Sequence, residues 1–357
     1  MKHAVAWIAT VTALAAVIVH GAQRETLDIY FIDVEGGQST LLVTPSGQTL
    51  LIDAGWAGVP SGGRMQGTPG DPHKARDANR IAAAARDAGV TSIDYLLITH
   101  FHPDHIGGVV ELAQLIPIRT FIDHGSVSPE EDQSVPGTLD AFTAYAAVRA
   151  KGRHIAPKVG DRLPLAGVDG IVITSALSNI VKPLAGAGED NPACAVGPTD
   201  NRDRKDENVR STGIRVQFGK FRFLDVGDLG GRPLFALACP TNLVGPVDVY
   251  LVAHHGGTDA ADAATFAAFK PRLALLNNGA MKGANVEIFE RLRQVQGLED
   301  VWQLHRSARP GAKNFADGQI ANLDERTAHW IKLSASDDGS FQVLNGRTGV
   351  LKRYSIR

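Results

Sequence analysis

Apolar and polar positions follow two rhythms along this chain, and the second half repeats the order of the first. LDIYFIDV (27–34), 39–43 and 49–53 are short apolar or alternating runs separated by Gly-rich and Pro-Ser-Gly turns, the pattern of β-strands. A polar Gly/Pro loop covers 56–73. ARDANRIAAAARDA (75–88) places Ile81, Ala84 and Ala85 on one helical face and stops at Gly89. IDYLLIT (93–99) is a near-continuous apolar run, which suits a strand buried on both faces. It runs straight into His100. Helices are predicted at 106–115 and 139–150, with a strand at 118–122 between them.

Residues 177–209 are polar and rich in Pro, Gly, Asp and Asn. That is too long for an ordinary connection, so it reads as a functional loop or a flexible insert. The first half's grammar then returns: strands at 214–218 and 221–226, a helix at 232–237, and a buried strand, VDVYLVA (247–253), running into His254. A helix at 261–269, a strand at 273–276, a helix at 286–295 and a strand at 301–304 follow. The segment 330–356 reads as a hairpin turning at Asp337-Asp338-Gly339 with one more strand after it. LLIDAG (50–55) and FLDVGD (223–228) are both apolar strands that end in acidic residues and Gly, and each leads through a helix to a strand ending in His. The chain is therefore expected to be α/β, with two βαβ-like halves face to face and polar residues gathered at the strand ends, where such sheets bind ligands.

The N-terminus breaks this pattern. Lys2 precedes an apolar run at 4–19, followed by His20, Gly21 and Ala22, the three-part form of a secretory signal. The run is shorter than the ~20 residues that span a bilayer. The expected organisation is a signal peptide at 1–22, or an uncleaved anchor, then one domain at 23–357 with a loop insert at 177–209 and a C-terminal β extension at 326–357. Localisation would be periplasmic or secreted. No later segment is apolar enough to cross a membrane.

Composition narrows the partners. Of 357 residues, 44% are hydrophobic and 21% charged, and the net charge is -2. That gives no electrostatic reason to expect nucleic acid or an anionic membrane; a small-molecule or envelope-derived substrate fits better, and the oligomeric state is not legible. Two cysteines cannot form a Cys-based zinc cluster. In an oxidising compartment Cys194 and Cys239, both beside proline, are expected either to pair as a loop-tying disulfide or to lie buried as free thiols.

The unusual feature is twelve histidines, several in tight clusters. HFHPDH places His100, His102, Asp104 and His105 within one loop between a buried strand and a helix that Gly107 and Gly108 help pack closely. Alternation puts His100 and His102 on one side, while Asp104 and His105, at the helix start, can face a second point. Imidazoles with a carboxylate suit zinc, with iron or manganese as alternatives. Two ligand pairs on one loop are what a two-metal site needs. Further ligands must come from elsewhere. Asp228 is the best bridging carboxylate, with Asp225 the in-strand alternative. His254 is expected as a ligand and His255 as a supporting or substrate contact. Asp53 is expected to fix a ligand imidazole's tautomer. Asn277, Asn278 and Arg306 sit at predicted strand ends and read as solvated loop residues.

HFHPDHIGG resembles the HxHxDH signature of metallo-β-lactamase-fold hydrolases, and DVEGGQSTLLV, LIDAG, FRFLDVGDL and VYLVAHHGG fall in that family's order. The nearest branch is similar to the hydrolase domain of bacterial DNA-uptake channels and the exported phosphorylcholine esterases. The resemblance covers most of 27–310. It implies a four-layer αββα sandwich and a bound metal pair, with His100 and His102 on one ion, Asp104 and His105 on the other, and Asp228 bridging. The family's usual extra histidine before the bridging aspartate has no clear counterpart; His124 and His305 are the candidates to replace it.

The expected chemistry is hydrolysis by a metal-held hydroxide, with Asp104 orienting the nucleophile. A phosphodiester or phosphoester is favoured from the branch resemblance. The alternatives are a lactam, lactone or other ester on the same site, and a non-catalytic metal-binding envelope or DNA-uptake accessory. A redox role on the same fold would need a flavin-binding partner domain, which nothing after residue 310 resembles.

Overall fold

A computed structural model describes residues 24–58, 60–61, 64–65 and 74–356; the expected signal at 1–22 lies outside them. In chain order the first half runs β1 (Leu27–Phe31), β2 (Thr40–Val43), β3 (Thr49–Ile52), the short hairpin β4 (Pro60–Ser61) and β5 (Arg64–Met65), α1 (Arg76–Asp87), β6 (Ile93–Leu97), α2 (Pro103–Ile106), α3 (Val109–Leu115), β7 (Ile118–Ile122), α4 (Glu131–Ser134), α5 (Thr138–Arg149) and β8 (Arg153–Ile155). The second runs β9 (Asp169–Ser175), β10 (Ser178–Asn179), β11 (Gly213–Phe218), β12 (Phe221–Asp225), α6 (Gly231–Ala236), β13 (Val249–Leu251), α7 (Ala263–Phe269), β14 (Leu273–Leu276), α8 (Val286–Leu292), β15 (Asp300–His305), β16 (Ile320–Asn322), β17 (Ile331–Ala335), β18 (Phe341–Asn345) and β19 (Leu351–Tyr354).

The strands form two large sheets, ordered β19-β18-β17-β1-β2-β3-β6-β7-β8 and β10-β9-β11-β12-β13-β14-β15-β16. Each begins as an antiparallel meander and continues as parallel strands: β3, β6, β7 and β8 in the first, and β12 to β16 in the second. Alternation explains the layers. On β1, Leu27, Ile29 and Phe31 enter the core between the sheets, while Tyr30 faces the outer helices. Phe223, Val249, Leu273 and Trp302 meet the first set from the opposite sheet. α1 and α3 cover the outer face of the first sheet through Ile81, Ala85 and Leu112. Phe266, Phe269, Ile288 and Phe289 of α7 and α8 cover the second. Four layers result, helix–sheet–sheet–helix, because β6 and β13 are apolar on both faces and need cover on each.

The structure breaks one expected helix and adds detail to two expectations that it bears out, the loop-tying disulfide and the C-terminal strands. The helix predicted over 106–115 is two, α2 and α3, broken at Gly107-Gly108. A Cβ on Gly108 would lie 2.2 Å from the carbonyl oxygen of Ala54, and one on Gly107 would lie 2.4 Å from the backbone nitrogen of Ala57. The loop at 177–209 carries β10 and two tight turns and is tied down by a disulfide between Cys194 and Cys239. The C-terminal strands are continuous with the first sheet, where β17 pairs antiparallel with β1. Strands β4, β5, β8, β9, β10 and β16 lie outside the runs predicted as strands.

Candidate metal centre

Parallel strands from both sheets end at one edge, and the chemistry-bearing residues sit just beyond those ends. Asp53 follows β3, His100 follows β6, Asp228 follows β12, and His254 and His255 follow β13. Asp104 and His105 lie in α2, whose first residue is Pro103. The rigidity of this end is local in origin: Gln38 N donates to Asp104 O at 3.1 Å, and Ala54 N donates to His105 O at 2.7 Å.

Four ligating atoms converge. One atom each from Asp104, His105, Asp228 and His255 lies within 4.8 Å of all the others. His105 Nε2 is 3.3 Å from Asp104 Oδ2 and 3.3 Å from Asp228 Oδ2. His255 Nε2 is 3.2 Å from Asp104 Oδ2 and 3.1 Å from Asp228 Oδ2. His105 Nδ1 lies 2.7 Å from Asp53 Oδ2, and Thr99 N and Oγ1 also donate to the Asp53 carboxylate. With its Nδ1–H given to Asp53, His105 turns Nε2 toward the carboxylates, where a proton or a metal ion would be held between them. The Nε2 atoms of His105 and His255 and Asp228 Oδ1 are buried and have no hydrogen-bond partner. Buried lone pairs facing carboxylate oxygens are costly unless a cation lies between them. The residues therefore fit a divalent ion.

A second position lies beside the first. His100 Nε2 and His102 Nδ1 are 3.0 Å apart. His102 Nε2 is 2.9 Å from Glu131 Oε1, and His100 Nδ1 is 3.1 Å from Thr99 Oγ1 and 3.4 Å from Ser211 Oγ. When the outer nitrogens donate to these oxygens, the two inner nitrogens present lone pairs to the same point. Asp228 Oδ2 is 4.0 Å from His100 Nε2, so one carboxylate reaches both positions. The arrangement is a candidate di-metal site.

Electrostatics follow from burial and mutual charge. Burial, with His105 and His102 adjacent, pushes His100 well below its ordinary value and keeps it neutral. Burial pushes Asp228 up, but the imidazoles of His255, His105 and His254 outweigh it and hold the carboxyl well below the usual range. Asp104 is also held low: burial opposes ionisation, and the Lys282 ammonium and His105 overcome it. Burial lowers His105, yet the carboxylates of Asp228, Asp104 and Asp53 raise it well above its ordinary value. A metal entering here displaces a proton from His105.

Of the paired histidines, the structure places His255 rather than His254 in the four-residue cluster. His255 supplies the atom that joins Asp104, His105 and Asp228. His254 Nε2 stands 3.8 Å from Asp228 Oδ2 and 3.2 Å from the Asn208 amide, while its Nδ1 is 2.8 Å from Asp259. Neither candidate for the family's extra histidine is among the four. His124 Nε2 is 2.9 Å from Glu207 Oε2, which also accepts from Phe101 N at 3.1 Å, so His124 braces the HxHxDH loop from behind. His305 gathers instead with Asp33 and Glu35. Asp225 lies beneath the centre, holding Gln38 Nε2 and Gly227 N. Asn277 donates to Gln38, and Asn278 to the carbonyl of His305; both are buried rather than solvated.

Residues that sequence reasoning missed come from distant loops. Lys282 Nζ contacts Asp104 Oδ2 and stands 5.0 Å over the Trp56 ring. Glu131, Glu207, Asn208 and Asp259 supply the remaining partners described above. The only sequence signal for Lys282 was its place in a Gly/Asn-rich loop after β14, at the ligand-bearing edge. An open cleft of about 300 Å³ beside the centre is lined by Arg202, Arg204, His254, His255, Asp259 and Lys282, among others.

Residues 33–175 match the family model of the Metallo-beta-lactamase superfamily. The matched stretch includes Asp53 and the HxHxDH residues; Asp228 and His255 lie beyond it. The two mixed sheets and their covering helices are consistent with the metallo-β-lactamase sandwich. No curated protein matches the sequence. Similar solved structures include a metallo-β-lactamase from Cronobacter sakazakii (17% identity over 56% of this chain and 60% of that one, TM-score 0.30). The metallo-β-lactamase fold protein YhfI from Bacillus subtilis is 12% identical over 78% of this chain and 96% of that one, with a TM-score of 0.43. CmlA, a diiron β-hydroxylase from Streptomyces venezuelae, is 15% identical over 78% of this chain and 48% of that one, with a TM-score of 0.39. The chain thus spans 60% of the Cronobacter enzyme's length. Among the described residues no helix is long and apolar enough to cross a membrane.

Proposed function

We propose that the chain is an exported hydrolase of phosphodiesters or phosphoesters that depends on two divalent ions, zinc first among them. The observation that carries this reading is the convergence of buried, unpartnered ligating atoms on His105, His255 and Asp228. When bound, such a pair of ions brings the pKa of a water close to neutrality and draws charge from the oxygen of the bond to be broken. Asp104, kept ionised by Lys282, has a carboxylate with which to accept and orient a proton of the attacking water. Asp53 fixes the tautomer of His105, and Glu131 that of His102. Lys282, His254, Arg202 and Arg204 line the adjoining cleft, where cationic and hydrogen-bonding groups favour an anionic substrate. Arg204 is paired with Asp206 and Asp259, Arg202 with Asp200, Lys282 with Asp104 and His254 Nδ1 with Asp259; of these four, Lys282 and His254 also adjoin the carboxylates of Asp104 and Asp228, which places them nearest to an oxygen of a substrate at the centre. The cationic lining and the resemblance of HFHPDHIGG and VYLVAHHGG to the phosphodiesterase-containing branch both favour a phosphoester over a lactam or lactone.

A panel of bis(p-nitrophenyl) phosphate, p-nitrophenyl phosphorylcholine, a β-lactam, a lactone and a carboxylic ester, tested on zinc- or manganese-loaded protein, checks the substrate class. The phosphoesters are expected to turn over fastest. Preference for the lactam, lactone or ester would overturn the phosphoester assignment, and no turnover of any of them by fully loaded protein would favour a metal-binding accessory.

A further inference from the structure

A second cluster of ligating side chains lies outside this centre. Asp33 and Glu35 follow β1 of the first sheet, and His305 ends β15 of the second. One ligating atom from each lies within 4.8 Å of the other two. Asp33 and His305 are each 1% exposed. Arg80, from α1, reaches Asp33 Oδ2 at 2.9 Å and Glu35 Oε1 at 3.2 Å. Arg80 thus engages one oxygen of each carboxylate.

The imidazole decides what the cluster suits. His305 Nδ1 lies 3.0 Å from the backbone carbonyl of Arg306. A carbonyl only accepts, so Nδ1 carries the proton and Nε2 of the neutral ring carries a lone pair. That Nε2 is buried without a hydrogen-bond partner and stands 3.5 Å from Glu35 Oε2, the oxygen that Arg80 does not engage. A lone pair aimed at a carboxylate oxygen, with its other nitrogen anchored on a backbone carbonyl, is the preparation of a metal-ligating histidine.

We propose that Asp33, Glu35 and His305 form a third divalent-cation site, separate from the di-metal centre, that clamps the two sheets together at their ligand-bearing edge. One imidazole and two carboxylates select a zinc-, manganese- or iron-class ion over calcium or magnesium. Arg80 holds Asp33 Oδ2 and Glu35 Oε1, and Glu35 N donates to Asp33 Oδ1, which weakens the site relative to the di-metal centre. The clamp acts on the loop that follows β1. Gly36 packs on Gly279, where a Cβ would lie 2.9 Å from the Gly279 nitrogen, and Gln38 N donates to Asp104 O. An ion at this cluster therefore stiffens the segment on which Asp104 rests.

Equilibrium dialysis of the chain against Zn²⁺ or Mn²⁺, with ions counted by mass spectrometry, tests the site. The expected count is three per wild-type chain and two in His305→Ala and in Glu35→Gln. A wild-type count of two, unchanged in both variants, overturns the proposal. The reciprocal variant, His100→Ala combined with Asp228→Ala, removes a ligand of the second position together with the carboxylate that reaches both positions, and leaves this cluster intact. It is expected to retain one ion per chain, and that ion is expected to disappear when Glu35→Gln is added. Retention of none overturns the proposal even should the His305 variant fail to fold. The count separates the two claims, since the third site stands or falls without reference to substrate.

Discussion

His254 and His255 take left-handed φ values of 51° and 53°, and the resulting turn sends two adjacent imidazoles to different tasks. His255 points at Asp104 and Asp228; His254 is held by Asp259 at the lip of the cleft. His255→Ala is therefore expected to lower metal affinity more than ~100-fold, since even supporting partners of ligands cost 10–100-fold. His254→Ala is expected to keep both ions and mainly raise KM, which metal analysis beside steady-state kinetics will separate. Asp225 supplies a second prediction at this scale. Burial pushes its carboxyl from 3.8 up to about 7, against the donors Gly227 N and Gln38. The folded state thus holds a proton that the unfolded chain has released, so stability contributed by the protonated form is lost as pH rises from about 4 to about 7. In metal-free protein, chemical denaturation should show Asp225→Asn gaining on the wild type across that window; a constant difference would contradict the assignment.

At the scale of elements, the position of Asp104 and His105 depends on how closely α2 and α3 approach the end of β3. Gly108 has no room for a methyl group beside the Ala54 carbonyl, so Gly108→Ala must shift the helix start or the strand end. A shift of about 1 Å at a catalytic group costs on the order of 10²-fold in rate. Gly108→Ala is expected to lose that much kcat, or more, while retaining the circular-dichroism spectrum of a folded protein. The HxHxDH loop was legible because its ligands lie within a few residues of one another and between a doubly apolar strand and a helix. Asp228 was legible because the second half repeats the first. Which of two adjacent histidines turns inward was not, because backbone torsion decides it. Lys282, Glu131 and Asn208 reach the site only through tertiary packing, and short-range pattern carries no trace of that. Strands β8 and β16, only three residues each, are too short for alternation to reveal.

For the whole molecule, the repeat of sheet grammar explains why the candidate ligands gather at one edge. Each half ends its parallel strands in polar residues, and the apolar core between the sheets, from Leu27 and Phe31 to Phe223 and Trp302, brings the two edges together. Ligands separated by more than a hundred positions, His105 and Asp228 among them, thereby come within 3.3 Å. The loop at 177–209 belongs to the same logic: the Cys194–Cys239 disulfide anchors it, and its end delivers Glu207 and Asn208 to the site. If these joined halves exist to hold two ions for hydrolysis, activity must follow metal content. The direct measurement is hydrolysis of bis(p-nitrophenyl) phosphate by chelator-stripped protein refilled stepwise with zinc or manganese. The stripped protein is expected to show no rate above background, and the rate to return as the centre fills. Stripped, metal-free protein that hydrolyses at the full rate would contradict this dependence on metal.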